Sequence, residues 1–417
     1  MERSFIAMHL VCQKEHPAFM RAVWRVRIPL LSLFFALFFF SPPCAAAPPI
    51  KVGCSLGLTG RFAVMSDALH KGFKLWQEDV NQRGGILGRP VLLLFEDDHS
   101  DPKEAKSIYR RFIQEDGVDF LFAPYSSLIT EAVLPIAEKH EIPTLIAGAA
   151  ADRLWEKGMR YAVGIYTPAS KFTVGFLELL VWEGLDRIAV VYADDVFSID
   201  LAVYTRKWAQ RFGLNIVLDK EFSKGTGDLK PYAVQAMEKN AQVLMVCGHM
   251  NEAVNMCRAL ARIPWRPAAY YASVGPALQT FYDRCQSEAE GTFGTSLWEP
   301  KANFPKAQAF ERTFIKTYGG KPGYHAGLAF AGGQVLEEAI RQAGGCDRER
   351  VRSALFQLDT MTIIGRFGVD ASGKQVRQQT FIIQWQNGRK ELLWPKSFQT
   401  AKPRFGYPQQ QAAGSPK

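Results

Sequence analysis

The 417-residue sequence lacks the short motifs that mark most catalytic and cofactor sites. No cysteines have CxxC spacing and no histidines have HxxxH or HExxH spacing, which argues against a zinc or redox centre. The first predicted strand leads into "GCSLGLTGRF", which has neither the GxGxxG spacing of a dinucleotide site nor a Walker lysine. The paired serines of "YSSLIT" do not stand in a GxSxG pattern. We therefore expect no metal, no cofactor and no catalytic residues.

The net charge of the chain is only mildly positive. The formal net charge is +9, of which residues 1–47 carry +3 and the remainder +6. No basic block or aromatic-basic run of the kind found in nucleic-acid binders is present. Nucleic acid is therefore not an expected partner.

Long apolar runs are also scarce. One spans Ile28 to Phe40, follows the arginine-rich stretch 21–27 and precedes the small residues 45–47. This layout predicts a secretory signal over residues 1–47, with residues 1–19 as an upstream extension. An uncleaved leader acting as a membrane anchor is the alternative. No later stretch reaches the roughly 18 apolar residues that a spanning helix needs.

Five cysteines follow the leader, and an odd number leaves at least one thiol free. Cys54 and Cys247 lie inside apolar strand-like runs, which predicts that both are buried. A disulfide among Cys257, Cys285 and Cys346 stays open at this level.

From Ile50 onward, short apolar runs alternate with amphipathic stretches, the pattern of strand–helix–strand units around a parallel sheet. Two successive sets of similar units meet near Thr167, which predicts an α/β protein with two lobes. Ser66 or Asp67 is predicted to cap the first helix. The C-terminal part predicts hairpins with turns at "DASGK" and "QNGRK", and then a disordered polar tail over residues 396–417.

An acidic patch, "EDDHSD", separates the second strand from the second helix. Asp97, Asp98 and Asp101 lie where carboxylates favour the positive end of a helix dipole, and Pro102 suits the first helical position. A metal would need more oxygen ligands than this loop clearly supplies. The patch is therefore interpreted as a helix start.

Ligands of open parallel sheets bind just beyond the carboxyl ends of the strands. Small residues follow several predicted strands here, and their free amides suit a carboxylate or carbonyl oxygen. Aromatic residues stand at or near the same ends, and each could equally belong to the core. They are Phe62, Tyr125, Tyr166, Phe197 and Trp298. The combination predicts a small-molecule pocket between the lobes.

Several stretches together are similar to those of one known family. They are "IKVGCSLGLTG", "DVNQRGGILGRPVLLLFEDDHSDPKEA", "APYSS", "IPTLI", "IAVVYADD" and "YHAGLAFAGGQVLEEAI". From Ile50 to about Pro395 the chain resembles the periplasmic type I solute-binding proteins of ABC importers, specifically the leucine/isoleucine/valine-binding branch for branched-chain amino acids. The resemblance implies a periplasmic protein that delivers a small molecule to an inner-membrane ABC permease.

The resemblance also implies two Rossmann-like lobes with parallel sheets, joined by three crossovers near Thr167, Trp298 and Gly365. Lobe 1 is expected over residues 48–167 plus about 299–364. Lobe 2 is expected over residues 168–298 plus about 365–395. The ligand is expected in the cleft, which closes around it by hinge motion.

The family's pocket carries over residue by residue. Ser127, with Ser126 beside it, matches the serine that bonds the ligand's carboxylate. Ala149 and Ala150 match an Ala-Thr pair, so a backbone amide survives but the threonine hydroxyl is lost.

In the second lobe Phe197 replaces a frequent tyrosine, and His249 with Met250 replaces aromatic residues. Trp298 matches a bulky residue over the ligand's side chain. The acid that neutralises the ligand's ammonium is missing around Ser273 and Val274, although Asp194, Asp195 or Glu252 could replace it.

An ammonium buried without a carboxylate partner costs several kcal/mol. A standard α-amino acid is therefore a less safe expectation than the family name suggests. The expected ligand is an amino acid or a related small apolar or aromatic molecule with a carboxylate or carbonyl group. Two other functions stay open at this level: a ligand sensor partnered with a membrane signalling receptor, and an exported hydrolase using Ser126 or Ser127.

Overall fold

The computed structural model describes residues 47–407. The predicted signal peptide, apart from its last residue, and residues 408–417 lie outside this range. Within it, no helix is both long and apolar enough to cross a membrane.

The first sheet contains five parallel strands in the order β2-β1-β3-β4-β5. The central strands are almost wholly buried because helices cover both faces, as is usual for parallel sheets. The strands are β1 (Ile50–Leu56), β2 (Val91–Asp97), β3 (Phe120–Phe122), β4 (Thr144–Ile146) and β5 (Ala162–Gly164).

The second sheet repeats this arrangement. Its parallel strands follow the order β7-β6-β8-β9-β10, which corresponds strand for strand to that of the first sheet. These strands are β6 (Arg187–Ala193), β7 (Asn215–Phe222), β8 (Val243–Cys247), β9 (Ala269–Ala272) and β10 (Thr292–Ser296). The hairpin β13 (Phe381–Gln386) and β14 (Arg389–Trp394) joins β10 antiparallel, with its turn at the predicted "QNGRK".

Helices pack on each sheet. Those with the first sheet are α1 (Ala63–Gln82), α2 (Pro102–Gln114), α3 (Ser127–Lys139), α9 (Ala307–Tyr318), α10 (Tyr324–Ala343) and α11 (Arg348–Gln357). Those with the second sheet are α4 (Val174–Glu183), α5 (Val196–Arg211), α6 (Lys230–Glu238), α7 (Met250–Ala261) and α8 (Gln279–Cys285).

The chain crosses between the two halves three times: between β5 and β6, after β10, and before β13. The short antiparallel pair β11 (Thr360–Thr362) and β12 (Gly365–Phe367) precedes the last crossing. The predicted α/β fold with two Rossmann-like lobes and three crossovers is confirmed.

Glycines let α1 and α10 approach closely in the first lobe. A Cβ on Gly72 would lie 2.2 Å from the carbonyl oxygen of Ala326, and one on Gly333 would lie 2.0 Å from the indole of Trp76. Because real Cβ atoms do not approach that closely, both positions require glycine.

Several local predictions need correction. The first helix begins at Ala63 after Phe62, without a side-chain cap, and the predicted cap Ser66 is buried inside its first turn. Asp101 does cap α2, accepting from the amides of Lys103 and Glu104. The turn at "DASGK" carries only an isolated bridge.

Part of the predicted disordered tail is packed against the second sheet. The Tyr407 side chain is buried, and its hydroxyl donates to the carbonyl of Glu288. The amide of Arg404 donates to the side chain of Gln384 in β13.

All five cysteines after the leader are free thiols. Cys54 and Cys247 are fully buried, as predicted. Cys257 and Cys285 are neighbours, and their hydrogen bond, together with burial, raises the pKa of Cys257 well above its usual value.

Candidate functional site

The carboxyl ends of the two sheets face each other and enclose a small cavity of about 10 Å³, here called the inner cavity. Its lining comes from the loops after β3, β4, β5, β6, β8 and β9, at the edge where such folds bind ligands. The lining residues are Tyr125, Ser126, Ser127, Gly148, Ala149, Ala150, Tyr166, Phe197, His249 and Val274. Eight of the eleven predicted ligand-binding residues are among them.

The serine pair provides the hydrogen-bonding side of this cavity. Ser126 precedes α3 and Ser127 is its first residue, so the first amides of the helix point towards the loop. The Ser127 oxygen accepts from the amides of Ala150 and Ala151 at 3.2 Å and 3.1 Å. With both lone pairs engaged, the hydroxyl proton is free to donate. A helix N-terminus with a free hydroxyl donor suits a carboxylate.

This bonding pattern changes one expectation. The amide of Ala150, expected to be free for the ligand, is used to hold Ser127 in place.

One hydrogen bond joins the lobes across the cleft. The Tyr125 hydroxyl, at the end of β3, lies 3.0 Å from Nδ1 of His249, which precedes α7. Phe62 and Phe197 flank the imidazole with ring centroids 5.4 Å and 5.3 Å away. His249 and Phe62 thus form a wall that closes the inner cavity.

Asp195, one of the acids considered as a replacement for the missing ammonium partner, is fully occupied. It caps α5 by accepting from the amides of Phe197 and Ser198. Its carboxylate also lies 2.7 Å from Lys224 Nζ and 3.4 Å from His249 Nε2. Burial alone would raise the pKa of Asp195, but His249 and Lys224 together hold it well below its usual range. The carboxylate is therefore ionised and neutralised internally.

The other two candidate acids also accept hydrogen bonds from backbone amides of the second lobe. Asp194 accepts from the amide of Lys224 at 2.6 Å, and Glu252 accepts from the amide of His249 at 2.9 Å. In the β9 loop, Ser273 exchanges hydrogen bonds with the backbone of Gly248. No carboxylate among the described residues lines the inner cavity.

A larger cavity of about 260 Å³, here called the outer cavity, lies on the other side of the Phe62–His249 wall. Its lining residues are Arg61, Phe62, Met65, Lys224, Gly225, His249, Met250, Asn251, Glu252, Asn255 and Arg284. The predicted residues Phe62 and Met250 therefore lie here rather than in the inner cavity. Sequence analysis missed the basic residues because they follow three different strands.

Tyr166 connects the inner cavity to two further residues that sequence analysis missed. Its hydroxyl lies 3.4 Å from Nε2 of His325 and 3.5 Å from the hydroxyl of Tyr324, at the start of α10. Burial lowers the pKa of His325 to about 3, so this imidazole is neutral. The available signal was the "YH" pair that opens the family-like stretch before α10.

Trp298, the remaining predicted residue, lines neither cavity. Its indole packs against Gly327 of α10 and the Phe310 ring, and its Nε1 donates to the carbonyl of Ile363 at 2.8 Å. It is almost wholly buried at the crossover after β10.

The described residues contain no group of three or more His, Cys, Asp or Glu residues arranged to hold a metal. A GxSxG match does occur at 53–57, but Ser55 lies inside β1 and donates to Asp98, rather than standing on a strand-to-helix turn. In the acidic patch, Asp97 binds the Thr59 hydroxyl and the amide of His99, which holds the loop.

Comparisons with known proteins agree with this geometry. A family described as "Periplasmic binding protein" matches residues 49–390. The Leu/Ile/Val-binding protein homolog 8 of Brucella abortus (strain 2308) is 25% identical over 381 residues, covering 87% of this chain and 94% of that protein.

Two solved structures share the fold. The branched-chain amino acid transporter substrate binding protein LivJ from Streptococcus pneumoniae, in complex with isoleucine, matches with a TM-score of 0.75 at 22% identity, covering 83% of this chain and 100% of that one. An ABC transporter solute binding protein from R. palustris, in complex with benzoate, matches with a TM-score of 0.73 at 18% identity, covering 83% and 95%.

The family match spans most of the chain, and the proteins it resembles are substrate-binding components of ABC transporters rather than enzymes. This excludes the exported hydrolase considered from the sequence. The chain belongs to the periplasmic binding protein family and is a binding protein.

Proposed function

We propose that this protein captures a small carboxylate between its lobes, outside the cytoplasm, and delivers it to an inner-membrane ABC importer. The observation that carries the proposal is the Ser127 hydroxyl at the start of α3, whose oxygen accepts from the amides of Ala150 and Ala151 while its proton is free. Membership of the periplasmic binding protein family supports the extracytoplasmic location and the permease partner.

The ligand is an apolar or aromatic carboxylate rather than a standard α-amino acid. An α-amino acid would need a free carboxylate beside the inner cavity to neutralise its ammonium group. Asp195 cannot serve, because it is already paired with Lys224 and His249. The aromatic walls formed by Tyr125 and Phe197 suit a flat apolar body. One structural neighbour holds isoleucine and another holds benzoate, so the fold is compatible with both classes.

Hinge closure is part of the proposal. Lobe 1 comprises residues 48–167 plus about 299–364, and lobe 2 comprises residues 168–298 plus about 365–395. The residues that bind the ligand come from both, so the ligand stabilises the closed arrangement.

Isothermal titration calorimetry of the purified mature chain tests the ligand class with leucine, isoleucine, valine, benzoate, phenylacetate and hexanoate. We expect one or more of the three simple acids to bind and the three amino acids to bind more weakly. Tight leucine binding would refute the argument from the missing ammonium partner. A panel in which nothing binds would count against the carboxylate proposal itself.

A serine variant tests the site. Ser127→Ala removes a charge-assisted hydrogen bond worth about 1.5–3 kcal/mol, so the affinity for the best acid should fall by roughly 10- to 150-fold. Ser353→Ala on α11 removes a hydroxyl far from both cavities and is the matched control. A melting curve of each variant checks the fold, because Ser127 also accepts two buried amides. Unchanged affinity in a folded Ser127→Ala protein would exclude this carboxylate site.

A further inference from the structure

The side chains that line the outer cavity carry a net positive charge, which neither a neutral nor a cationic ligand group would neutralise. Three cationic side chains line it, from Arg61, Lys224 and Arg284, against one carboxylate, from Glu252. Lys224 is already balanced by Asp195. The excess positive charge therefore comes from the two arginines.

The two arginines differ from Arg153, which also lies at the boundary between the lobes. Arg153 pairs with Asp200, whereas Arg61 and Arg284 have no carboxylate partner among residues 47–407. Arg284 donates instead to the neutral side chain of Asn251 at 2.9 Å, which fixes its direction without neutralising it.

The arginines also come from opposite lobes. Arg61 lies in the loop between β1 and α1, and Arg284 lies in α8, which follows β9 of the second sheet. Closing the cleft brings these like charges to one cavity, which is unfavourable unless an anion lies between them. Arg61 is exposed and Arg284 is half-buried, so solvent screens part of their repulsion. A ligand with a negative group at this place favours the closed arrangement over the open one.

Only the Phe62–His249 wall separates the outer cavity from the proposed carboxylate site, because His249 lines both cavities. At about 10 Å³ the inner cavity holds no more than roughly one water molecule. A ligand that enters it must displace this wall, and its far end then reaches the outer cavity.

We infer that the outer cavity is a second anion subsite and that the preferred ligand is a dianion, with one carboxylate at Ser127 and a second acidic group between Arg61 and Arg284. The inference rests on the proposed function, since it needs the first carboxylate to bind at the start of α3. Charge-assisted hydrogen bonds to guanidinium groups give the second group its affinity and its geometry.

Calorimetry with matched acids tests the inference. Terephthalate is compared with 4-methylbenzoate, and adipate with hexanoate, so that each pair differs mainly in the second carboxylate. We expect the dianion of at least one pair to bind about tenfold or more tightly than its monoanion. This preference should weaken at high salt because the subsite is partly open to solvent.

Substitutions in the outer cavity test whether its side chains cause the preference for dianions. Arg61→Gln and Arg284→Gln should each reduce it about tenfold without changing the affinity for the monoanion. Glu252→Gln keeps an acceptor for the His249 amide but removes the opposing charge, so it should strengthen dianion binding. Arg110→Gln removes a positive charge from the exposed side of α2 and should change nothing.

The outcomes separate the two proposals. If monoanions bind and dianions bind no tighter, or if the dianion preference survives both arginine substitutions, the second subsite is wrong and the carboxylate-binding function stands. If Glu252→Gln weakens binding, that carboxylate pairs with a cationic ligand group and the inference is overturned. If neither class of acid binds, the proposed function fails and the inference fails with it.

Discussion

The ion pair between Arg153 and Asp200 joins the two lobes away from both cavities. Arg153 follows β4 of the first sheet, and Asp200 lies on α5 of the second lobe. The guanidinium donates to one carboxylate oxygen at 3.0 Å and 2.7 Å, and the Arg153 amide donates to the other at 3.2 Å. The Asp200 side chain is only 10% exposed, whereas that of Arg153 is 34% exposed.

Asp200→Asn keeps the shape of this side chain and removes its charge. Losing one partner of a fully buried pair costs about 3–5 kcal/mol, but solvent reaches Arg153, so about 1–2 kcal/mol is the expected loss here. This loss falls on the closed arrangement alone. The ratio of closed to open molecules should therefore drop about 5- to 30-fold, and ligand affinity should fall by up to that factor.

Small-angle X-ray scattering and calorimetry measure the two effects. The variant should have a larger radius of gyration than the parent and a weaker affinity for the best acid of the panel. Asp219→Asn is the matched control. Asp219, on β7, pairs at 3.0 Å with Arg206 of α5, the helix that also carries Asp200, but this pair lies inside one lobe. If Asp200→Asn leaves both measurements unchanged, or if Asp219→Asn alters them equally, the pair does not control closure.

Two further predictions concern stability. Gly333→Ala places a Cβ 2.0 Å from the Trp76 indole and should lower the free energy of unfolding by about 1–3 kcal/mol in urea titrations, whereas Gly345→Ala, with open space around it, should not. Burial raises the pKa of Asp98 to about 6 against the Ser55 and Ser100 hydrogen bonds that lower it, so the folded chain holds this proton more tightly than the unfolded chain. This contribution to stability is present below about pH 4 and is lost as the pH rises to about 6. Melting curves should show that loss, and Asp98→Asn should remove it; a variant with the same pH slope as the parent would contradict this origin.

The alternation of strands and helices could be predicted from the sequence because it depends on local patterns of apolar residues. Each strand of the parallel sheets is a short apolar run, and the helices between them carry buried stripes such as that of α1. Helices α8 and α11 were missed because their signals are weak. The first has seven residues and buries only Phe281 and Cys285, and the second is largely polar. The packed segment before Tyr407 was missed because its own backbone makes the bonds: the carbonyls of Arg404 and Lys402 accept from the side chains of Gln384 and Gln386 in β13, and no local pattern records such contacts.

The candidate site was predicted only as far as strand ends could be placed. Ser127 and Phe197 follow strands directly, so their convergence at one edge follows from the fold. The bond between Tyr125 and His249 joins residues 124 positions apart, and no local pattern records it. Trp298 was predicted from its place near a strand end and from the resemblance, but its indole turns instead into the packing around α10.

The pairing of the Asp195 carboxylate explains both why the inner cavity lacks a partner for an ammonium group and why the outer cavity is basic. An acid is present at Asp195, yet capping α5 directs it towards its own backbone, Lys224 neutralises it, and His249 Nε2 lies 3.4 Å from it. Because that negative charge is used inside the second lobe, it does not offset Arg61 and Arg284, and Glu252 is left as the only carboxylate that lines either cavity among the described residues. A cationic ligand group would thus find no partner in the inner cavity and net repulsion in the outer one, whereas added negative charge is favoured in both.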